Sequence, residues 1–331
     1  MRKVLLAAPH FDEQRGNKIT VERIQECLVE KGYDITILSS TSTNVDSYPK
    51  DVDIIHGFHA TKFRAFLKRH KNSELTPFIL SMTGTDINQD FYDDVLKVEM
   101  LNLCEKALAI HVFESAAKEK LVQERPHLDK KIFVIPQSIR PFKSVKSPFS
   151  KPSNKLIVLP AGIRPVKNVL QAVNALKLVA KEQNVCLWLV GPILDQSEGE
   201  RVLEAIKDEP WVHYKGSVSY HEMGAILKDA DLVLNTSLHE GQSSAVLEAM
   251  MSRTPVIVSA NDGNKSIVKD KETGLIYQSE QDLRESVVQL LNDTKTYELL
   301  AENALKYVKN VHDPDQECKM LSDMYAFARN S

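Results

Sequence analysis

The sequence predicts an α/β protein made of two doubly wound, Rossmann-like domains, each with a parallel sheet. Three observations carry that expectation. Short apolar, β-rich runs recur almost from end to end, and most are separated by stretches with helical periodicity, so parallel sheets flanked by helices are expected. At 331 residues the chain is too long for one ordinary core, and two domains of about 150 residues each are the natural division. Near the middle, one segment loses the pattern and becomes rich in proline and serine.

Taken in order, the expected strands of the first half are Lys3–Ala8, Asp34–Leu38, Asp53–Phe58, Phe78–Met82, Leu108–Phe113 and Lys131–Ile135. Those of the second half are Leu156–Pro160, Val185–Val190, Val212–Tyr214, Asp231–Asn235, Pro255–Ser259 and Gly274–Tyr277. Val169, Ala172, Val173, Leu176 and Val179 show the helical spacing between them. Residues 140–154 hold three prolines, four serines and no acid, which reads as a linker. Nucleic-acid contact is the less favoured reading of its basic charge. The expected division is therefore 1–145, 146–312 and a closing segment 313–331 with a helix over Gln316–Ala328. Two such sheets joined by a hinge are expected to face one another across a cleft, because ligands of open α/β sheets bind at the carboxyl ends of the strands.

Composition excludes several classes. A net charge of −3 gives no field that would gather nucleic acid. The longest apolar runs, such as Val185–Val190, fall far short of the ~20 residues that span a bilayer. The opening Met1-Arg2-Lys3 followed by Val4–Ala8 meets Pro9 and His10 and lacks a small-residue cleavage site, so it reads as a first strand rather than a signal peptide. Cys27, Cys104, Cys186 and Cys318 are scattered without C-x-x-C spacing. That excludes a zinc ribbon and suggests no disulfide framework, which fits a reducing cytoplasm. Asn235-Thr236-Ser237 matches a glycosylation acceptor but ends an apolar strand pattern.

Three strand-to-helix loops carry cations where a helix's positive end disfavours them: Arg15-Gly16-Asn17-Lys18, Gly162-Ile163-Arg164-Pro165-Val166-Lys167 and Gly263-Asn264-Lys265-Ser266. An anion held between the cation and the helix amides explains that placement. Solvated surface lysines are the plainer reading of Lys18 or Lys265 alone. The chain has no G-x-G, no G-x-x-x-x-G-K-[ST] and no G-x-S-x-G. Nicotinamide enzymes, P-loop NTPases and α/β-hydrolases are therefore disfavoured.

Glu240 and Glu248 recur at an interval also seen at Glu22/Glu30 and Glu272/Glu280, so spacing alone says little. Context says more. Glu240 falls in a polar loop with Gly241 and Gln242, Ser243 follows, and Ser244 is the expected cap of a helix that is apolar except at Glu248. A carboxylate in such a helix either points to water or accepts hydrogen bonds from ligand hydroxyls. Ser243 and Ser244 are placed to offer donors to a diphosphate, and Glu240 to reach a sugar.

Glu240-x7-Glu248, Ala249-Met250, Thr254–Ser259 and Thr273–Ile276 together resemble the family 4 retaining glycosyltransferases of GT-B fold. Gly162-x-Arg164-x-x-Lys167 is similar to their diphosphate loop, with Asn168 where glycine is usual. Leu189-Val190-Gly191 is similar to their central strand and Gly216-Ser217-Val218 to their nucleobase loop. Gly16-Asn17-x-Ile19-Thr20, Thr83-Gly84-Thr85-Asp86 and Pro136-Gln137-Ser138 resemble one group, which holds animal glycosyltransferase 1 domain-containing proteins and bacterial selenosugar synthases.

The resemblance implies a donor site of Gly16, Asn17, Gly162, Arg164, Lys167, Gly191, Ser217, Val218, Glu240, Gly241, Gln242, Ser243, Ser244 and Glu248. Glu240, Arg164, Lys167 and Asp86 are its catalytic candidates, with Asp86 near the acceptor, although on the residues alone Asp86 reads as a cap of the following segment. It further implies a closing helix that crosses back to the first domain, and metal-independent transfer with retention from a nucleotide sugar, UDP favoured. The acceptor is a small molecule, lipid or protein. No cofactor is expected. An epimerase of the same architecture and a silent nucleotide-sugar-binding module are the rival readings.

Asp51-Val52-Asp53 and Asp313-Pro314-Asp315 spell a metal motif but open a strand and a helix. His10 is either an acceptor contact or an ordinary loop histidine. The basic segment Thr61–Lys71 could touch a membrane, although Phe63, Phe66 and Leu67 packing inward is the simpler expectation.

Overall fold

A computed structural model describes residues 2–11, 16–42, 49, 51–70 and 76–330, with only the backbone of Gly16 and Asn17. It contains two compact units, Met1–Ser138 with Pro314–Ser331, and Ile139–Asp313. In chain order the first unit has β1 (Lys3–Ala8), α1 (Gly16–Glu30), β2 (Asp34–Ser39), β3 (Ile54–Phe58), α2 (Ala60–Arg69) and β4 (Phe78–Ser81). The short α3 (Thr85–Asn88) follows, then α4 (Asp94–Lys106), β5 (Ala109–Val112), α5 (Ser115–Glu124) and β6 (Ile132–Val134). The second unit has β7 (Lys155–Pro160), α6 (Val169–Gln183), β8 (Val185–Val190), α7 (Gln196–Ile206), β9 (Val212–Gly216) and α8 (Tyr220–Asp229). It continues with β10 (Leu232–Asn235), α9 (Ser244–Met251), β11 (Val256–Ser259), α10 (Asp262–Ile267), β12 (Leu275–Tyr277), α11 (Glu280–Asn292) and α12 (Thr294–Val311). The last helix, α13 (Pro314–Asn330), belongs to the first unit.

Each unit holds one six-stranded sheet, in the order β2-β1-β3-β4-β5-β6 and β12-β11-β10-β7-β8-β9. All pairings are parallel. Helices cover both faces, so the inner strands are buried on both sides and read as continuous apolar runs, as in β8 with Val185–Val190 fully buried, whereas the edge strands β2 and β9 are partly exposed. Val169, Ala172, Val173, Leu176 and Val179 all face the sheet from α6. Phe63, Phe66 and Leu67 of α2 are likewise buried, which leaves its basic residues on the outer face.

Two expectations need correction. The proline-rich segment is anchored to the second unit rather than dividing at position 145. Ile139 is buried and bonded to the His312 carbonyl, and Phe142 lies so close over Gly224 that a Cβ there would meet the ring at 2.1 Å. Apolar anchors inside a polar composition decided its course. The cysteines also differ, because Cys27 of α1 and Cys318 of α13 are joined as a disulfide. The partners are 291 residues apart, and no local spacing announces a pairing made by helix–helix contact. The scattered cysteines therefore do not argue for a reducing compartment. Among the described residues, no helix is long and apolar enough to cross a membrane.

Beneath α13 a buried polar chain crosses the first sheet. Tyr325 Oη lies 2.8 Å from His56 Nδ1, and His56 Nε2 lies 2.7 Å from Ser81 Oγ. Ser81 Oγ is 2.7 Å from His111 Nδ1, and His111 Nε2 is 3.0 Å from the Ile135 carbonyl. A carbonyl only accepts, so His111 Nε2 carries a proton. With both histidines neutral, one direction satisfies every link: Tyr325 donates to His56, His56 to Ser81, Ser81 to His111. Burial holds the Tyr325 phenol well above its ordinary pKa, so it stays a donor. Burial, and for His56 the neighbouring His111, lowers both imidazoles.

This neutral pair makes the first unit acid-sensitive. Both folded pKa values lie below the unfolded value of about 6.5, so their contribution is complete above that pH and is lost as pH falls through it. The expected outcome is a melting temperature several degrees lower at pH 5 than at pH 7.5, measured by calorimetry. The carboxylates that are held low titrate below this window, so an unchanged melting temperature would contradict the assignment of two neutral buried histidines.

Candidate functional site

The winding of the second sheet reverses between β7 and β10, which lie side by side. In open α/β sheets the crevice at the carboxyl ends of such a strand pair is the ligand site. Here the loop after β7 carries Gly162, Arg164 and Lys167, and the loop after β10 carries Glu240, Gly241, Gln242 and Ser243. Two hydrogen bonds stitch the loops together: Thr236 Oγ1 donates to the Lys167 carbonyl at 2.8 Å, and the Leu238 amide to the Val166 carbonyl at 2.9 Å.

Across that seam Lys167 Nζ lies 2.5 Å from Glu240 Oε1. Glu240 Oε1 also accepts from Ser237 Oγ at 2.7 Å and Asn235 Nδ2 at 3.1 Å. The two side chains are only 16% and 12% exposed. Burial pushes the Glu240 carboxyl upward, but the Lys167 ammonium and these donors outweigh it and hold the group below its ordinary pKa. Glu240 is thus an ionised acceptor at neutral pH.

Local backbone explains the motif around Lys167. Arg164 caps a single 3₁₀ turn over Pro165–Lys167, and proline suits its first position. Asn168, where the resemblance expects glycine, adopts φ 46° and ψ 44°. Asparagine tolerates this left-handed conformation, so the departure preserves the loop's shape. Gly191 sits at φ +148°, and a Cβ there would lie 2.2 Å from the Ala161 carbonyl oxygen. Close approach of the loops after β7 and β8 therefore accounts for that glycine. Gly162 similarly faces Leu194, Ser217 is exposed after β9, and Val218 packs on the core.

On the β10 side, Ser243 rather than Ser244 occupies the cap position of α9. Its Oγ accepts from Asn235 Nδ2 at 3.1 Å. Gly241, Gln242 and Ser244 are half-buried around the helix start. Glu248 is 6% exposed, which removes the reading in which it points to water.

The third cationic loop has a different task. A Cβ on Gly263 would lie 1.8 Å from the Gly241 carbonyl oxygen, so α10 buttresses the Glu240–Gly241 backbone. Asn264 Nδ2 donates to Asn235 Oδ1 at 3.1 Å and to the Ser259 carbonyl at 3.0 Å. Sequence reasoning missed Asn235, Ser237 and Asn264. The available signal was a run of polar residues ending an apolar strand, which the glycosylation pattern obscured.

In the first unit, Arg15 lies outside the described residues. Gly16 and Asn17 open α1, and their side chains also lie outside what is described. Lys18 is beside Glu22 at 4.0 Å. Asp86 requires correction as a catalytic candidate. It is fully buried and accepts from the backbone amides of Ala60 (2.9 Å), Thr83 (3.0 Å), Gly84 (2.9 Å) and Ile87 (3.1 Å). Both oxygens are engaged in tying the ends of β3 and β4, which is a capping role. The neighbouring group-specific motifs are also internal ties. Thr20 Oγ1 donates to Gln137 Oε1 at 2.7 Å, and Ser138 Oγ to Glu317 Oε2 at 2.5 Å. Asp53 Oδ2 accepts from the Lys3 amide, and Asp51 pairs with the Lys3 side chain at 3.0 Å. His10 adopts φ 53° and donates its amide to Thr41 Oγ1.

If Gly263 is the buttress of the Glu240 loop, Gly263→Ala must displace a backbone carbonyl. The expected cost is about 1–3 kcal/mol, as for other forced overpacking, read from denaturant unfolding of the second unit. Wild-type stability would show that α10 yields freely.

Comparison with known proteins gives a consistent picture. A family model described as glycosyl transferases group 1 matches residues 141–307. Glycosyltransferase 1 domain-containing protein 1 of Xenopus tropicalis is 27% identical over 317 residues, covering 91% of each chain. HepE of Anabaena, in a structure with UDP-glucose, superposes with a TM-score of 0.79 at 15% identity, covering 98% of this chain and 100% of that one. Sucrose-phosphate synthase of Thermosynechococcus elongatus gives 0.79 at 17% identity over 98% of each. At these identities the structural likeness concerns the fold, which is GT-B.

Proposed function

The chain belongs to the glycosyl transferases group 1 family, and from that premise we propose that it transfers a sugar from a UDP-sugar to an acceptor hydroxyl or similar nucleophile, with retention and without a metal. The observation that carries this reading is the Lys167–Glu240 pair at the β7/β10 switch point. HepE, with its UDP-glucose complex, supports uridine as the base.

In the proposed reaction, Arg164 and Lys167 hold the diphosphate, with amides at the start of α9. They stabilise the charge that develops as the bond between the sugar's anomeric carbon and the phosphate oxygen breaks. The acceptor attacks from the face the phosphate leaves, and its proton passes to the departing phosphate oxygen. No protein nucleophile is assigned. Glu240, ionised and acceptor-only, takes hydrogen bonds from the sugar hydroxyls once Lys167 turns to phosphate. Glu248 is assigned to the ribose. Gly16 and Asn17 are assigned to the donor through the resemblance alone.

Positive charge from the chain itself is what makes the reaction metal-independent in this reading. Donor turnover, followed as UDP release from a panel of UDP-sugars, is expected to be unchanged by EDTA. Lys167→Ala and Arg164→Ala should each lower it by about 10²–10³-fold, the usual effect of removing one electrostatic stabiliser. Near-normal rates in both variants, or loss of activity in EDTA restored by a divalent ion, would overturn the mechanism. Appearance of an epimeric UDP-sugar without free UDP would identify an epimerase instead.

A further inference from the structure

A second cleft opens at the carboxyl ends of β10, β11 and β12 and includes the start of the loop that carries Glu240. Its volume is about 380 Å³, and its walls include Gln171, Ser237, Asn261, Lys265, Tyr277 and Gln278. That is within the size range of small-molecule pockets. No aspartate or glutamate lines it.

Sorting its polar groups by what they already hold shows what is left over. Asn261 Nδ2 donates to the Ser237 carbonyl at 2.9 Å, and its Oδ1 accepts from the Asn264 amide at 2.9 Å. Ser259 Oγ donates to the same Ser237 carbonyl at 2.6 Å. Ser237 Oγ is given to Glu240 and Thr236 Oγ1 to Lys167, which fixes the wall shared with the donor loops. Gln171 Oε1 accepts from Tyr277 Oη at 2.8 Å and from Asn168 Nδ2 at 3.1 Å. Burial keeps the Tyr277 phenol protonated, so it remains the donor in that bond.

With both acceptor positions of Gln171 filled, its amide nitrogen is the end left for a ligand. The backbone amide of Gln278 is already given to Asp282 Oδ2 at 3.2 Å, but among the described residues the Gln171 side-chain nitrogen, the Gln278 side-chain amide and the Lys265 ammonium carry no hydrogen bond, and Lys265 has no ion pair. The cleft therefore offers one uncompensated cation and side-chain amide donors, while the acceptors of Gln171, Asn261 and the Ser237 carbonyl are already occupied.

We propose that this cleft binds a small, sugar-sized phosphomonoester, with the phosphate on Lys265 and the amides of Gln171 and Gln278 receiving the remaining oxygens. An acceptor-rich anion is the ligand that a carboxylate-free site with an open ammonium and open amide donors complements. The cleft shares the Ser237 wall with the donor loops, but its open cation, Lys265, belongs to α10 and not to the loops after β7 and β10. It does not depend on the assigned reaction.

Isothermal titration of the full chain with glucose 6-phosphate tests the assignment. Saturable binding is expected, together with no binding of glucose and weakening at raised salt. Lys265→Ala should weaken it about tenfold, the loss of one charge-assisted contact. Lys265 is exposed, so that substitution leaves the fold intact, and Gln171→Ala supplies a second, neutral variant expected to weaken binding less. UDP at saturation should leave the affinity unchanged. Absence of binding, equal binding by Lys265→Ala, equal binding of glucose, or competitive displacement by UDP would each overturn the proposal. The last outcome would transfer the phosphate to the donor crevice.

Discussion

An ion pair that is mostly removed from water is costly unless its remaining hydrogen-bonding capacity is satisfied, and the second unit is organised around meeting that condition for Lys167 and Glu240. Ser237 and Asn235 supply the additional donors to Glu240. Asn235 is in turn oriented by Asn264 of α10, and α10 reaches that position only because Gly263 lets it meet the Gly241 carbonyl. On the other side, Thr236 and Leu238 bond to the carbonyls of Lys167 and Val166, so the cation's own loop is fixed by the loop of its partner. Each loop thus owes its course to the other. The pair therefore orders the loops of the crevice as well as supplying its charges.

A second buried ion pair plays the corresponding part in the first unit. Arg23 Nε and Nη2 meet the two oxygens of Glu317 at 2.6 and 2.9 Å, and Ser138 donates to the same carboxylate. Burial pushes the Glu317 carboxyl upward, but Arg23 holds it below its ordinary pKa. With the Cys27–Cys318 disulfide and the Tyr325–His56 contact, this fastens α13 to α1 and to the sheet through three different kinds of bond. Truncating one partner of such a pair leaves a buried charge, which typically costs about 3–5 kcal/mol. The residues that drew attention as group-specific motifs, Thr20, Gln137 and Ser138, belong to this framework.

The twelve strands of the described residues were legible in the sequence to within one or two residues. The inner ones were so because a parallel sheet buried on both faces writes a strand as an uninterrupted apolar run, the partly exposed edge strands β2 and β9 because helical stretches alternate with them. The site was legible where a loop follows such a run. Arg164, Lys167 and Glu240 stood out because charge is unusual there, and Glu248 because its helix is otherwise apolar. Asp86 reads as a cap on its residues alone, and its four backbone amide donors agree; the acceptor role came only from the resemblance. Arg23–Glu317, Cys27–Cys318 and the His56–Ser81–His111 chain were invisible, since each joins positions that only the fold brings together. Asn264 escaped notice because the cation beside it, Lys265, suggested a phosphate loop.

The pairing of Lys167 with Glu240 also bears on selectivity. On the proposed reading, a bare anion entering the crevice competes with Glu240 for the ammonium, and taking Lys167 removes the strongest of the charges that hold that largely buried carboxylate below its ordinary pKa. Removing the partner of such a carboxylate is unfavourable unless other donors replace it. A phosphate without hydroxyls supplies none. A nucleotide sugar brings both halves at once: phosphate oxygens for Arg164 and Lys167, and sugar hydroxyls that donate to Glu240. On that reading the ion pair acts against the wrong ligand as well as for the right one, which is how discrimination is usually built. The Lys167 ammonium, with Ser237 and Asn235 donating beside it, keeps Glu240 ionised and in place.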